Sequence, residues 1–126
     1  MIDFILYPEA LELKELGFDE PCLKFYANKK LVLALDTDNG DINSKLNQYN
    51  PLYVSAPTFS QSFRFFREKH DLQYWMRDGG YLGKCFIKIT GYKHDKIYIS
   101  SSEPMEYEEA ELECLRKLIE IAKQKQ

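Results

Sequence analysis

The chain has 126 residues, of which 44% are hydrophobic and 14% aromatic, and this composition predicts one folded domain rather than a disordered chain. A formal net charge of −3 excludes the overall basic character of a nucleic-acid binder, although it allows a local basic patch. The short apolar run at the start contains Asp3 and predicts neither a signal peptide nor a membrane span, so we expect a cytoplasmic protein.

The three cysteines are widely separated along the chain. Cys22, Cys85 and Cys114 form no C-x-x-C pair, and neither His70 nor His94 lies near one of them at metal-ligand spacing. We therefore expect reduced thiols that act mainly as small buried hydrophobes, with no metal and no cofactor.

The N-terminal segment predicts a helix followed by a β-hairpin. Pro8 suits the first helical turn and Gly17 suits the end of the helix. Two strands are predicted at Leu23–Tyr26 and Leu31–Leu35, joined by the polar link 27–30. The second strand is apolar throughout, so we expect it to be buried on both faces.

A long polar segment, 36–51, separates the hairpin from the rest of the chain. Its acidic start resembles a calcium-binding loop, but the register fails. Counted from Asp36, Gly40 falls at position 5 instead of 6, and Asn47 stands where the loop needs Glu at position 12. The segment is therefore predicted to be a solvated loop.

The remaining chain, 57–124, predicts the order α-β-β-β-α. A helical stripe of Phe59, Phe63, Phe66 and His70 marks the first helix. The predicted elements are a helix at Pro57–His70, strands at Leu72–Arg77, Lys84–Thr90 and Lys96–Ser100, and a helix at Glu106–Lys123. The glycine-rich connection 78–83 is a hairpin signal, and it lacks the spacing of a phosphate-binding loop.

These elements define an α+β class with an antiparallel sheet and helices packed on one face of that sheet. We expect a single domain over 1–126. It comprises a helix and hairpin in 1–35, the polar loop 36–51 and the α-β-β-β-α unit 57–124.

Several stretches together resemble a known family. They are Glu9–Cys22 (EALELKELGFDEPC), Ala56-Pro57 with Ser60-Gln61, Phe65–His70 (FFREKH) and Tyr107–Leu115 (YEEAELECL). In this combination the chain resembles a family of small uncharacterised proteins from gut Bacteroidetes and their phages or prophages, over nearly its full length. The resemblance implies a phage or mobile-element accessory role and brings no assigned activity.

The α-β-β-β-α order also resembles that of a double-stranded-RNA-binding domain. That family meets RNA phosphates with a basic N-terminus on its last helix. Here the matching positions carry acids, which repel phosphate: Glu106, Glu108, Glu109 and Glu111. The likeness therefore extends to the order of elements and not to RNA binding.

One face of the predicted sheet concentrates aromatic and cationic side chains. Strand alternation predicts an inner face that includes Cys85, Ile87, Ile89, Ile97 and Ile99. The candidate interaction surface is the opposite face, with Trp75, Arg77, Phe86, Lys88, Lys96 and Tyr98. The sequence favours burial of this face under the N-terminal region or in a homodimer, ahead of a protein-partner surface and then a nucleic-acid surface.

The sequence contains no recognisable catalytic constellation. A catalytic cysteine–histidine pair needs a thiol beside His70 or His94, but two of the three thiols are predicted to face the core. The acids of 36–51 lie on a predicted flexible loop, which would hold a catalytic carboxylate pair poorly. The prediction is a non-enzymatic module that binds a macromolecule, favouring a protein, self or other, and no membrane. The alternatives are a nucleic-acid-binding module that uses the aromatic and basic sheet face, and an unrecognised small hydrolase.

Overall fold

A computed structural model describes residues 4–33, 53–78, 84–94, 96–101 and 103–125. The chain divides into two compact units, Met1–Ser62 and Phe63–Gln126, which are taken separately below. The predicted polar loop 36–51 and most of the glycine-rich connection 78–83 lie outside the described residues. The predicted α+β class is confirmed, and the single domain over 1–126 stays a prediction.

The first unit begins with helix α1 (Tyr7–Glu15), which has proline in its first turn as predicted. The helix ends in a Schellman motif. Gly17 has φ +95°, its N–H donates to the Lys14 carbonyl (3.1 Å), and the Phe18 N–H donates to the Leu13 carbonyl (2.9 Å). Ala10 and Leu13 are buried on its apolar side.

The predicted hairpin is part of a three-stranded sheet. Strands β1 (Lys24–Ala27) and β2 (Lys30–Leu33) pair antiparallel, and β3 (Tyr53–Ala56) pairs with the other side of β1, which gives the order β2-β1-β3. The Tyr26 hydroxyl donates to the Ile5 carbonyl (2.8 Å) and so holds the chain before α1 against this sheet.

Burial of the second hairpin strand is a wrong prediction for its described part. Leu31, Val32 and Leu33 are 41%, 38% and 53% exposed. The physical reason is position, since β2 lies at the edge of its sheet while β1 lies in the middle. Uniform apolarity therefore did not mark a central strand here.

Helix α2 (Phe59–His70) leads from the first unit into the second. The second unit then contains β4 (Leu72–Asp78), β5 (Lys84–Gly91), β6 (Ile97–Ser100), β7 (Met105–Glu106) and α3 (Tyr107–Lys125). The order is the predicted α-β-β-β-α with one short extra strand. The sheet runs β4-β5-β6 and is antiparallel, and β7 pairs with the start of β5.

Both helices pack on the same face of this sheet. The Tyr74 ring stacks on Phe63 of α2 at 4.0 Å between centroids. Burial raises the pKa of Tyr74, and the nearby Tyr107, Cys114 and Glu111 of α3 add to the effect. Leu72, Ile87 and Ile89 are buried on this inner face, as predicted. Among the described residues, no helix is long and apolar enough to cross a membrane.

Candidate functional site

The outer face of the four-stranded sheet carries most of the predicted interaction surface. Trp75 pairs with Lys88, and Arg77 pairs with Phe86, so these four side chains share one face opposite the helices. Arg77 and Lys88 are exposed and Phe86 is partly buried. We call this set, Trp75, Arg77, Phe86 and Lys88, the outer face.

Trp75 is the chain's single tryptophan, and its indole is exposed and held in place. The residue is 54% exposed, while its Nε1–H donates to the Thr90 hydroxyl oxygen at 3.1 Å. Thr90 in turn donates to the Gly91 carbonyl at 3.2 Å and is 9% exposed. Burial of this face under the N-terminal region or in a homodimer stays a prediction.

The second aromatic ring of the outer face is covered by a cation. The Arg77 guanidinium carbon lies 5.6 Å from the centroid of the Phe86 ring, within the range of a cation–π contact. This contact favours one direction of the guanidinium, and Arg77 is exposed. Arg77 thus presents a positive charge in a defined place.

Two cavities flank Trp75 on the outer face. One of about 420 Å³ is lined by Arg77, Phe86 and Lys88 together with Ser100 and Ser101. The other, of about 690 Å³, extends from Lys88 over Thr90 to Tyr92, Lys93 and Ile97. Arg77, Lys88 and Lys93 supply positive charge, and no described residue that lines either cavity is acidic.

The structure corrects the predicted face at β6. Continuing the pairing of Ile89 with Ile99 would set Thr90 opposite Tyr98, but a β-bulge shifts the register and sets Thr90 opposite Ile97. Ile97, predicted to face the helices, is instead 58% exposed and lines the larger cavity.

Tyr98 and Lys96 consequently lie apart from the outer face, on which strand alternation had placed them. The Lys96 ammonium lies 4.8 Å from the Tyr98 ring centroid, and the Lys125 ammonium of α3 lies 6.0 Å from the same centroid. The Tyr98 ring is therefore near the C-terminal end of α3, where Lys125 also donates to the His70 carbonyl at 2.6 Å.

A polar cluster that the sequence analysis missed fastens the β5–β6 turn to the end of α2. Asp71 has φ +55°, and its carboxylate accepts from the Lys93 N–H (2.6 Å) and pairs with His94 Nε2 (3.0 Å). His94 Nδ1 accepts from the Lys96 N–H at 3.3 Å. A Cβ at Gly91 would collide with the His94 ring, so this cluster requires glycine there. An acid directly after a helix end was the available sequence signal.

Two of the three thiols are buried and remain protonated. Burial raises the pKa of Cys22 to about 12, with the nearby Glu20 charge adding to the effect. Burial likewise raises the pKa of Cys114 to about 12, with Glu113 and Glu111 contributing. Neither side chain forms a thiolate near neutral pH, and the thiolate is the nucleophilic form of cysteine.

Among the described residues, no group of three or more His, Cys, Asp or Glu side chains is placed to hold a metal ion. Comparison with protein-family models, with curated proteins and with solved structures found no match to this chain.

Proposed function

We propose that this chain is a non-enzymatic binding module that docks an acidic segment of a partner protein on its outer face. The observation that carries the proposal is the pair of cavities beside Trp75, where the described charged lining is cationic. Complementary charge steers such a partner toward the face and selects against basic partners.

The residue types of the outer face suit a protein interface. Tryptophan and arginine are the side chains most often found to dominate binding energy, because each buries a large planar surface and keeps a polar handle. Trp75 is already fixed by its bond to Thr90, and Arg77 by its contact with Phe86. Binding therefore loses little side-chain entropy at these two residues.

The biological setting is part of the proposal. The resemblance to small proteins of gut Bacteroidetes and their phages or prophages supports an accessory role in a phage or mobile element. An accessory module that acts by binding a partner requires an accessible surface, which Trp75 and its cavities provide.

Two observations support a non-enzymatic role over a small hydrolase. The Asp71–His94 pair resembles part of a catalytic dyad, but both His94 ring nitrogens are engaged, Nε2 by Asp71 and Nδ1 by the Lys96 N–H. Both ring nitrogens thus form bonds that hold the β5–β6 turn in place. The buried Cys22 and Cys114 thiols, with raised pKa values, are equally unsuited to attack.

A second candidate function is the binding of single-stranded nucleic acid. The specific observation in its favour is the exposed indole of Trp75 between Arg77 and Lys88, since bases stack on aromatic rings and phosphates pair with cations. The chain's net charge of −3 weighs against a polyanion as large as nucleic acid.

The test is selection from a surface-displayed library of random peptides of about ten residues, the upper end of common strand lengths. We expect peptides selected on the intact chain to be rich in Asp and Glu together with aliphatic or aromatic residues. Selection on Lys88→Glu should lose this acidic preference. The matched control, Lys29→Glu, reverses the same charge in the exposed β1–β2 turn and should keep it.

Two outcomes would overturn the proposal. One is selection of basic or uncharged peptides, or of acidic peptides that bind Lys88→Glu equally well. The other is tighter binding to an oligothymidylate of similar length than to any selected peptide, which would favour the nucleic-acid candidate.

A further inference from the structure

Strand β4 forms one edge of the four-stranded sheet and is unusually regular for an edge. Its seven residues pair with β5 without interruption from Leu72 opposite Gly91 to Asp78 opposite Cys85. The opposite edge is divided between β6 and β7 and contains the bulge at Ile89/Thr90. Among the described residues, no strand pairs with the other side of β4.

The backbone hydrogen bonds show which groups of β4 point away from β5. The Asp71 carbonyl accepts from the Tyr92 N–H (3.1 Å), so the residues in phase with Asp71 point toward β5. The Gly91 N–H donates toward β6, to the Lys96 carbonyl (2.9 Å), which agrees with this phase. The N–H and C=O groups of Leu72, Tyr74 and Met76 therefore point outward from the sheet edge.

This edge has few of the features that normally prevent strand addition. Natural sheets protect their edges with proline, charged side chains (above all lysine), bulges or very short strands. Over its seven residues β4 has no proline, lysine or bulge, and its two charged residues, Arg77 and Asp78, stand at its end. A further guard is the Gln73 side-chain amide, which donates to the Tyr74 carbonyl at 3.0 Å. That bond is local and is readily exchanged for a bond from an incoming backbone.

We propose that the acidic partner segment binds in extended form as an additional strand on β4. Its backbone bonds to Tyr74 and Met76, which sets the register. Alternate side chains of the segment then lie on the outer face beside Trp75 and Arg77, because side chains alternate between the two faces of a strand. This mode of binding rests on the function proposed above.

The chemistry of the segment follows from its neighbours on the sheet. An acid opposite Arg77 forms a cross-strand ion pair, and an apolar side chain opposite Trp75 covers the exposed part of the indole. The outer face therefore recognises a partner segment in which an acidic and an apolar residue stand two positions apart. A second copy of this chain is a poorer occupant, because it brings another Arg77 and Lys88 to an edge that is already basic.

The experiment uses one acidic peptide taken from the selection, made in two N-methylated versions with methyl groups on alternate sets of positions. One set removes the N–H groups that face β4, and the other removes those that face away, so each version is the control for the other. We expect one version to bind about tenfold more weakly or worse, as the loss of backbone bonds requires, and the other to bind like the parent.

A second measurement reads the chain itself. Peptide binding should slow amide hydrogen exchange at Tyr74 and Met76, and Met76→Pro should weaken binding about tenfold or more, because it removes one outward N–H. Fluorescence of Trp75 reports whether the Met76→Pro variant keeps its fold. If the variant unfolds, the N-methylated peptides still test strand addition, because they are measured on the unmodified chain.

Each remaining outcome decides between the two proposals. If both methylated versions bind like the parent, side chains alone dock the peptide, and strand addition is overturned while the proposed function stands. If no acidic peptide is selected at all, the function itself fails. Protection of Tyr74 and Met76 without peptide, together with a dimer mass by light scattering, would assign the edge to a second copy and overturn the inference.

Discussion

The turn between β1 and β2 places two consecutive residues in the left-handed region. Asn28 has φ +51° and Lys29 has φ +69°, which is the backbone of a type I′ turn between Ala27 and Lys30. Asparagine tolerates this conformation, but lysine carries a Cβ and no compensating local hydrogen bond. The turn therefore contains a small strain at Lys29.

We expect Lys29→Gly to raise the free energy of unfolding by about 0.5–1 kcal/mol. The left-handed conformation costs a residue with a Cβ roughly 1–2 kcal/mol, and the larger freedom of glycine in the unfolded chain cancels part of the gain. Urea unfolding measures the change. Lys30→Gly, one residue later in β2, is the control and should destabilise; a Lys29→Gly variant no more stable than the wild type would contradict the strain.

At the scale of elements, helix α2 begins with a capping box. The Gln61 N–H donates to the Thr58 hydroxyl oxygen (3.1 Å), and the Thr58 N–H donates to the Gln61 side-chain oxygen (3.0 Å). These reciprocal bonds satisfy two backbone donors that the first turn of a helix leaves without partners. The cap explains why the helix starts at Phe59, two residues after the predicted Pro57.

Thr58→Ala should lower the free energy of unfolding by about 1 kcal/mol, since it removes the side-chain acceptor of the cap. Ser60→Ala changes an exposed residue in the same turn and should lie within about 0.5 kcal/mol of the wild type. Thermal or urea unfolding followed by circular dichroism compares the two. Equal losses in both variants would mean that the cap does not stabilise the helix.

Both the charge pattern and the buried face of α3 were predictable from the sequence. Glu108 and Glu109 lie in its first turn, and Lys123 and Lys125 in its last, which complements the helix dipole. Its apolar stripe is buried, as the spacing of Cys114, Leu118 and Ile121 predicted. Local patterns were sufficient here because a helix contains its own hydrogen-bond partners.

At the scale of the whole molecule, net charge and local charge have opposite signs. The chain carries −3 overall, while the described charged residues around the outer-face cavities are Arg77, Lys88 and Lys93. The electrostatic potential that a small ion experiences at a protein surface is dominated by the charges within a Debye length of about 8–10 Å. The sign of the potential at Trp75 is therefore set by the outer face rather than by the total.

We expect iodide to quench the fluorescence of Trp75 more efficiently than caesium, although the chain is acidic overall. Since Trp75 is the single tryptophan, the signal reports on this site alone. Lys88→Gln and molar neutral salt should each reduce the advantage of iodide, the salt by screening the local positive charge. Quenching that is equal for both ions, or stronger for caesium, would contradict a basic outer face.

The sequence by itself determined the class of the fold, the two longest helices and the four residues of the outer face. These rest on periods of 3.6 and 2 and on turn and cap chemistry, which neighbouring residues specify. Trp75, Arg77, Phe86 and Lys88 were therefore predictable as one surface before any strand pairing was known.

Only the tertiary structure decided the features that depend on pairing between distant strands. The bulge at Ile89/Thr90 set Ile97, instead of Tyr98, opposite Thr90, and the pairing of β3 with β1 left β2 at an edge with exposed apolar residues. A one-residue change of register reverses the face of every following side chain, and no local pattern records it. The exposure of Trp75 and the side of β4 that no other described strand pairs with are consequences of that long-range order, and both proposals rest on them.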